Sequence, residues 1–162
     1  RDMSEPKLEL YMPAVRETAA MLGATWLRPA ELEARVPVSC DAEIVYARRQ
    51  GRGLAERMGF STSDATLVAT AISELARNII HYAGKGEIML GRVSDKGFDG
   101  ITVVASDSGP GIADVQLATR DGYSTSGGLG LGLPGVRRIM DEFAIDSDVG
   151  RGTTVTTVKW KR

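Results

Sequence analysis

From residue 37 onward, apolar side chains recur at intervals that assign secondary structure. Across Asp41–Met58 they fall three and four apart, at Ile44, Ala47, Gly51, Leu54 and Met58, which makes one face of a helix. Ser61-x-x-Asp64 is a capping pattern for a second helix. That helix carries a wide stripe of Leu67, Val68, Ala71, Ile72, Leu75, Ala76, Ile79 and Ile80 before Gly84 stops it. The period then shortens: Glu87–Val93 and Ile101–Ser106 read as strands joined by a loop over Asp95–Gly100. Leu133–Phe143 returns to helical spacing, with Pro134 in its first turn and Val136, Ile139, Met140 and Phe143 facing inward. Ala144–Asp148 and Thr153–Trp160 follow as strands around Val149–Gly152. This order predicts an α+β fold of two layers, with helices on one face of a mixed, mainly antiparallel sheet.

The first 36 residues lack this regularity. Pro13–Leu22 suits a short helix closed by Gly23, and Pro29 suits the opening of another over Ala30–Arg35. Residues 1–36 are read as an N-terminal extension of unknown role, ahead of a domain spanning 37–162.

Composition changes this picture in one place only. A chain of 162 residues with 43% hydrophobic and 25% charged side chains is an ordinary globular domain with an appendage. No apolar run is long enough to span a membrane and no signal-peptide pattern opens the sequence, so a membrane partner is not expected and the protein is expected to be cytoplasmic. Twenty basic against 21 acidic side chains leave a net charge of −1 without a basic block, which argues against nucleic acid as a partner. The single cysteine, Cys40, can form neither an internal disulfide nor a Cys-x-x-Cys metal site. Glycine is the exception: there are 19, and eight of them fall between Gly109 and Gly135.

That local excess lies beside candidate chemistry. On the second helix Glu74 and Asn78 are four residues apart, as are Arg77 and His81, so they share an edge of an otherwise apolar helix. On spacing alone that edge reads as a solvated face. Val103–Ser106 then leads into Asp107, Gly109 and Gly111, a strand that ends in a carboxylate and a glycine turn. A carboxylate buried at a strand end needs hydrogen-bond donors. The exocyclic amine of adenine is one, whereas guanine presents an oxygen there, so such a residue selects ATP over GTP. Ser124–Leu133 runs through four glycines into the helix at Leu133. Bare backbone amides and a helix N-terminus suit phosphate oxygens. A flexible linker would also be glycine-rich, but a flanking strand and helix argue against one. Gly130–Gly135 matches G-x-G-x-x-G only formally, because a polar loop and not a strand precedes it, and Gly84–Glu87 lacks the ending of a Walker A loop.

Taken together, Glu74-x-x-x-Asn78, Asp107-x-Gly109-x-Gly111, Gly128-x-Gly130-x-Gly132 and Gly152-Thr153 resemble the four ordered boxes of the GHKL superfamily, which includes gyrase, a heat-shock chaperone, histidine kinases and MutL. Through Ala71–Asn78, Tyr82–Gly86, Gly122–Gly130 and Gly132–Phe143 the chain is similar to the small switch serine/threonine kinases of bacterial partner-switching, stressosome-like systems, which are related to anti-sigma-factor kinases. The similarity covers Val38–Trp160. It implies a Bergerat-type ATP-binding fold with ATP and Mg2+ as cofactors. Its implied partners are STAS-domain scaffold or antagonist proteins and a PP2C-type phosphatase. An anti-sigma factor that holds a sigma factor, and a nucleotide-dependent binding module, stay open as alternatives. Carried over by position, Glu74 is the general base, Asn78 the magnesium ligand and Asp107 the partner of the adenine amine. Gly109 and Gly111 shape the adenine pocket and Thr153 supports Asp107. Gly128, Gly130 and Gly132 line the phosphates, with Ser126 in a lid over Ser124–Gly127. Arg77 is left between a partner or phosphate contact and solvent, and His81 is expected to be structural or on the surface.

Overall fold

The computed structural model describes residues 32–112 and 132–162 of the chain. Its elements are β1 (Leu32–Val38), α1 (Asp41–Arg57), α2 (Thr62–Ala83), β2 (Gly86–Asp95), β3 (Phe98–Asp107), α3 (Gly132–Ile139), β4 (Glu142–Asp148) and β5 (Gly152–Trp160). The five strands form one sheet in the order β1-β2-β3-β5-β4. Every neighbouring pair among the described strands is antiparallel, so the expected mixed sheet is wholly antiparallel over these residues.

The helices form where the apolar spacing placed them. Ser61 caps α2 by accepting the Asp64 N–H at 3.1 Å, and Gly84 closes it at φ +82° with its N–H on the Ile80 carbonyl. Thr66, Thr70 and Ser73 would compete with the helix backbone, but each hydroxyl donates to the carbonyl four residues back. One face of α2 (Val68, Ala71, Ile72, Leu75, Ala76, Ile79) packs with Ile44, Ala47 and Leu54 of α1 over Ile88, Leu90, Ile101, Val103 and Val155 of the sheet. This continuous core, with most members under 5% exposed, holds α2 against the sheet. Cys40, at the start of α1, is exposed. Among the described residues no helix is long and apolar enough to cross a membrane.

Two expectations are corrected. The helix over Ala30–Arg35 does not form in its described part: Leu32–Val38 is an edge strand paired with β2. Its apolar residues alternate, with Val36 and Val38 in the core and Arg35 on the other face bonded to Glu87 at 2.7 Å. An edge strand also tolerates Pro37. The sheet thus includes Leu32, and the expected boundary between residues 36 and 37 falls inside β1. The predicted helix over Pro13–Leu22 lies outside the described residues.

The second correction is α3, which stops at Ile139 and not Phe143. The Lys159 ammonium caps the Ile139 carbonyl at 2.9 Å, and the Asp141 N–H donates to the Val158 carbonyl at 2.8 Å. The chain is pulled into the sheet there, and Phe143 joins the core from β4. The β2–β3 connection is also tighter than expected. Lys96 at φ +52° and Gly97 at φ +84° make a two-residue turn, and both strands extend up to it.

Candidate nucleotide site

Helix α2 is the backbone of the site. Glu74 and Ala83 are nine residues apart, which at about 1.5 Å per residue separates them by roughly 13 Å along the axis. The Glu74 end meets the N-terminus of α3, and the Ala83 end meets the loop after β3. A nucleotide laid along this edge would have its phosphates near Glu74 and its base near Ala83.

At the first end, Glu74 is buried although it is charged. One carboxylate oxygen, Oε2, accepts from the Arg77 guanidinium, and the other, Oε1, accepts the Gly132 backbone N–H at 3.2 Å. Gly132 is the first residue of α3, so its amide is one of the donors that a helix leaves unused at its start. Asn78, one turn on, is half-buried.

At the other end, Asp107 closes β3 and lies opposite Thr153 of β5. Burial pushes its carboxyl above the ordinary aspartate value, and the N–H groups of Gly109 and Thr153 offset this only in part. The Gly109 N–H donates to Oδ1 at 2.9 Å. Space around this carboxyl is very limited. A Cβ on Gly109 would stand 2.5 Å from the Ala83 side chain, and one on Gly86 would stand 2.4 Å from the Ser106 carbonyl oxygen. Gly111 has φ +77° and presses on the Asp148 carbonyl, leaving a Cβ 2.2 Å from that oxygen. The Gly150 N–H donates to the Pro110 carbonyl at 2.8 Å, tying this loop to the β4–β5 turn.

The structure therefore brings Glu74 to Gly132, and Asp107 to Gly109 and Thr153, with Asn78 on the edge between. Ser126, Gly128 and Gly130 lie outside the described residues. Three participants were given no role of their own from the sequence, Gly152 being read only as part of the Gly152-Thr153 box. Ser147 sits 2.7 Å from the Ile112 N–H, 2.8 Å from the Thr153 hydroxyl and 3.2 Å from the Gly152 carbonyl, pinning the glycine turn to β5. Gly152 has φ +117° and passes so close to the Asp107 carbonyl that a Cβ would stand 2.1 Å away. Gly86 makes the same allowance from β2. The Gly152-Thr153 pair was the available signal for the second of these; Ser147 offered none.

Magnesium takes oxygen ligands in octahedral geometry and usually shares its shell with phosphates and water. Among the described residues no group of three or more His, Cys, Asp and Glu side chains forms a cage. The Asn78 amide oxygen, one helical turn from Glu74, is the ligand type that fits a metal arriving with phosphates.

Residues 63–162 match the sequence profile of the histidine kinase-, DNA gyrase B- and HSP90-like ATPases. The serine/threonine-protein kinase RsbT of Bacillus subtilis is 51% identical over 127 residues, covering 78% of this chain and 96% of that protein. An anti-sigma F factor of Caldanaerobacter subterraneus is 28% identical over 121 residues, covering 71% of this chain and 83% of its own length. A chain in the crystal structure of the SiaB–SiaC complex of Pseudomonas aeruginosa superposes with a TM-score of 0.53 at 15% identity. The match covers 91% of this chain and 96% of that one, a likeness of fold alone. The chain thus belongs to the family of histidine kinase-, DNA gyrase B- and HSP90-like (GHKL) ATPases, and it is an ATP-using serine/threonine-protein kinase.

Proposed function

We propose that this kinase phosphorylates a STAS-domain protein and then binds and activates a PP2C-type phosphatase. The observation that carries the reading is the buried Glu74 carboxylate against the first amide of α3. A base is thereby kept beside the helix N-terminus, where phosphate oxygens are favoured. The hydroxyl oxygen of the acceptor attacks the terminal phosphorus, the bond to the β-phosphate oxygen breaks, ADP leaves, and Glu74 takes the hydroxyl proton. Gly132 is assigned to the phosphates together with Ser126, Gly128 and Gly130, its N–H passing from Glu74 Oε1 to a phosphate oxygen when the nucleotide binds. Asp107 accepts the adenine amine, Thr153 supports Asp107, and Gly109 and Gly111 leave room for the base. Asn78 would hold Mg2+ through its amide oxygen. When bound, the ion neutralises phosphate charge. A second reading, an anti-sigma factor that also phosphorylates its antagonist, is favoured by the similarity to anti-sigma F factors.

The test is to incubate the chain with radiolabelled ATP and purified STAS-domain proteins, and separately to pass it over immobilised sigma factor. Transfer of label without retention on the column is expected. Glu74→Gln should slow transfer about 10²–10⁴-fold while ATP still binds, the usual worth of a general base. Retention on sigma factor would favour the second reading, and undiminished transfer by Glu74→Gln would remove the base from Glu74.

A further inference from the structure

The carboxylate that serves as base is not held by the core that buries it. Glu74 projects from the edge of α2 with one oxygen on the Gly132 amide and the other on the Arg77 guanidinium, one turn further on. The two members of this ion pair differ sharply in environment: the Glu74 side chain is 9% exposed and that of Arg77 53%. An i,i+3 pair with both ends in water would contribute little. Here one end is desolvated, and a buried carboxylate requires donors with fixed geometry. Arginine supplies a planar fork that stays charged at any working pH.

We propose that Arg77 is a positioning residue for phosphoryl transfer: it fixes the Glu74 carboxylate so that Oε1 faces the N-terminus of α3, where the terminal phosphate and the attacking hydroxyl meet. The inference rests on Glu74 being the base. It gives Arg77 a task distinct from touching phosphate or partner. The guanidinium bonds Oε2, which leaves Oε1 as the oxygen turned toward α3. Without it the carboxylate keeps its burial and its Gly132 contact but loses the guanidinium's hold on Oε2. A misplacement of about 1 Å at a reacting group slows a step on the order of 10²-fold.

The measurement is a double-mutant cycle in steady-state transfer from ATP to the STAS-domain acceptor that takes label from the wild-type chain. The variants are Glu74→Gln, Arg77→Ala and the two together, with Arg77→Lys as the conservative variant. Arg77→Ala is expected to lower kcat about 10–100-fold, with KM for ATP and for the acceptor within about twofold. Arg77→Lys should recover part of that loss, and the double variant should be no slower than Glu74→Gln alone. Equal slowing by Arg77→Ala in the wild-type and Glu74→Gln backgrounds would overturn the proposal. So would a raised KM for ATP, which would place Arg77 on phosphate, or for the acceptor, which would place it on the partner. Glu74→Gln measured alone reports on the base itself, so failure there is distinguishable from failure of the coupling. Should Arg77→Ala not fold, as judged by thermal melting, Arg77→Lys against Arg77→Met completes the same cycle.

Discussion

Strand β5 has a half-buried aspartate at each end, and the two are held in opposite ways. At its end, Asp141 takes the Trp160 N–H at 2.7 Å, a two-pronged contact from Arg162 at 3.0 and 3.3 Å, and the Lys159 charge at 3.6 Å. Burial alone would raise its pKa. The Arg162 and Trp160 hydrogen bonds and the two positive charges outweigh burial and hold it below the ordinary 3.8. At the start of β5, burial wins over the N–H groups of Gly109 and Thr153, the donors to Asp107 among the described residues, and lifts it above 3.8. Among the described residues no cation pairs with it. A carboxylate given every donor it can use is a clamp: Asp141 ends α3 and feeds the chain into β4. A carboxylate buried short of donors is disposed toward a ligand that brings one, and the adenine amine is such a donor.

The largest expected effect comes from disturbing the backbone that makes the second situation. Gly152→Ala would force a side chain onto a backbone at φ +117° and onto the Asp107 carbonyl. Strain and overlap together should cost about 3 kcal/mol or more, with ATP affinity lost in parallel. Urea denaturation and a nucleotide titration measure both. A variant of native stability and affinity would show that the close approach of β5 to Asp107 is dispensable.

Asp141→Asn tests the clamp and should be milder. It leaves the largely buried Lys159 without its counter-ion and should cost about 1–3 kcal/mol at neutral pH. The folded pKa of Asp141 lies below the unfolded one, so its contribution is present above pH 3.8 and is lost as pH falls through the folded value. The gap between wild type and Asp141→Asn should therefore narrow on acidification below pH 3.8. Asp107 has the opposite sign, because its contribution diminishes as pH rises through its raised folded value. Thermal melts from neutral pH downward read the difference. A constant gap would mean that the ion pairs of Asp141 do not set its stability.

Both helices of the core were legible in the sequence because long apolar stripes at helical spacing leave little choice, and Ser61 and Gly84 mark the ends of α2. Strand β1 was not, because its alternation is only a few residues long and Pro29 gives a helix-start signal just ahead of it. The α3–β4 junction misled for a related reason: Phe143 satisfies helical spacing from Met140 and Ile139 as well as strand alternation with Ile145. Lys159 and Asp141, which decide between the two, are brought together only by folding. The site divides in the same way. Glu74 and Asn78 share a helix edge that spacing reveals, and the glycine turn beside Asp107 is local. The contact of Glu74 with Gly132 joins positions 58 residues apart, and the bonds of Ser147 depend on strand register. Neither leaves a periodic trace.

The most direct measurement of the Asp107 assignment is calorimetric titration of the wild-type chain and of Asp107→Asn with ATP and with GTP. Wild type is expected to bind ATP well and GTP poorly. Asp107→Asn should lose about 10- to 150-fold in ATP affinity, the equivalent of a charge-assisted hydrogen bond of about 1.5–3 kcal/mol, and with it most of the preference for ATP. Equal ATP affinity in the two proteins, or a wild-type chain indifferent between ATP and GTP, would contradict the assignment of Asp107 to the adenine amine.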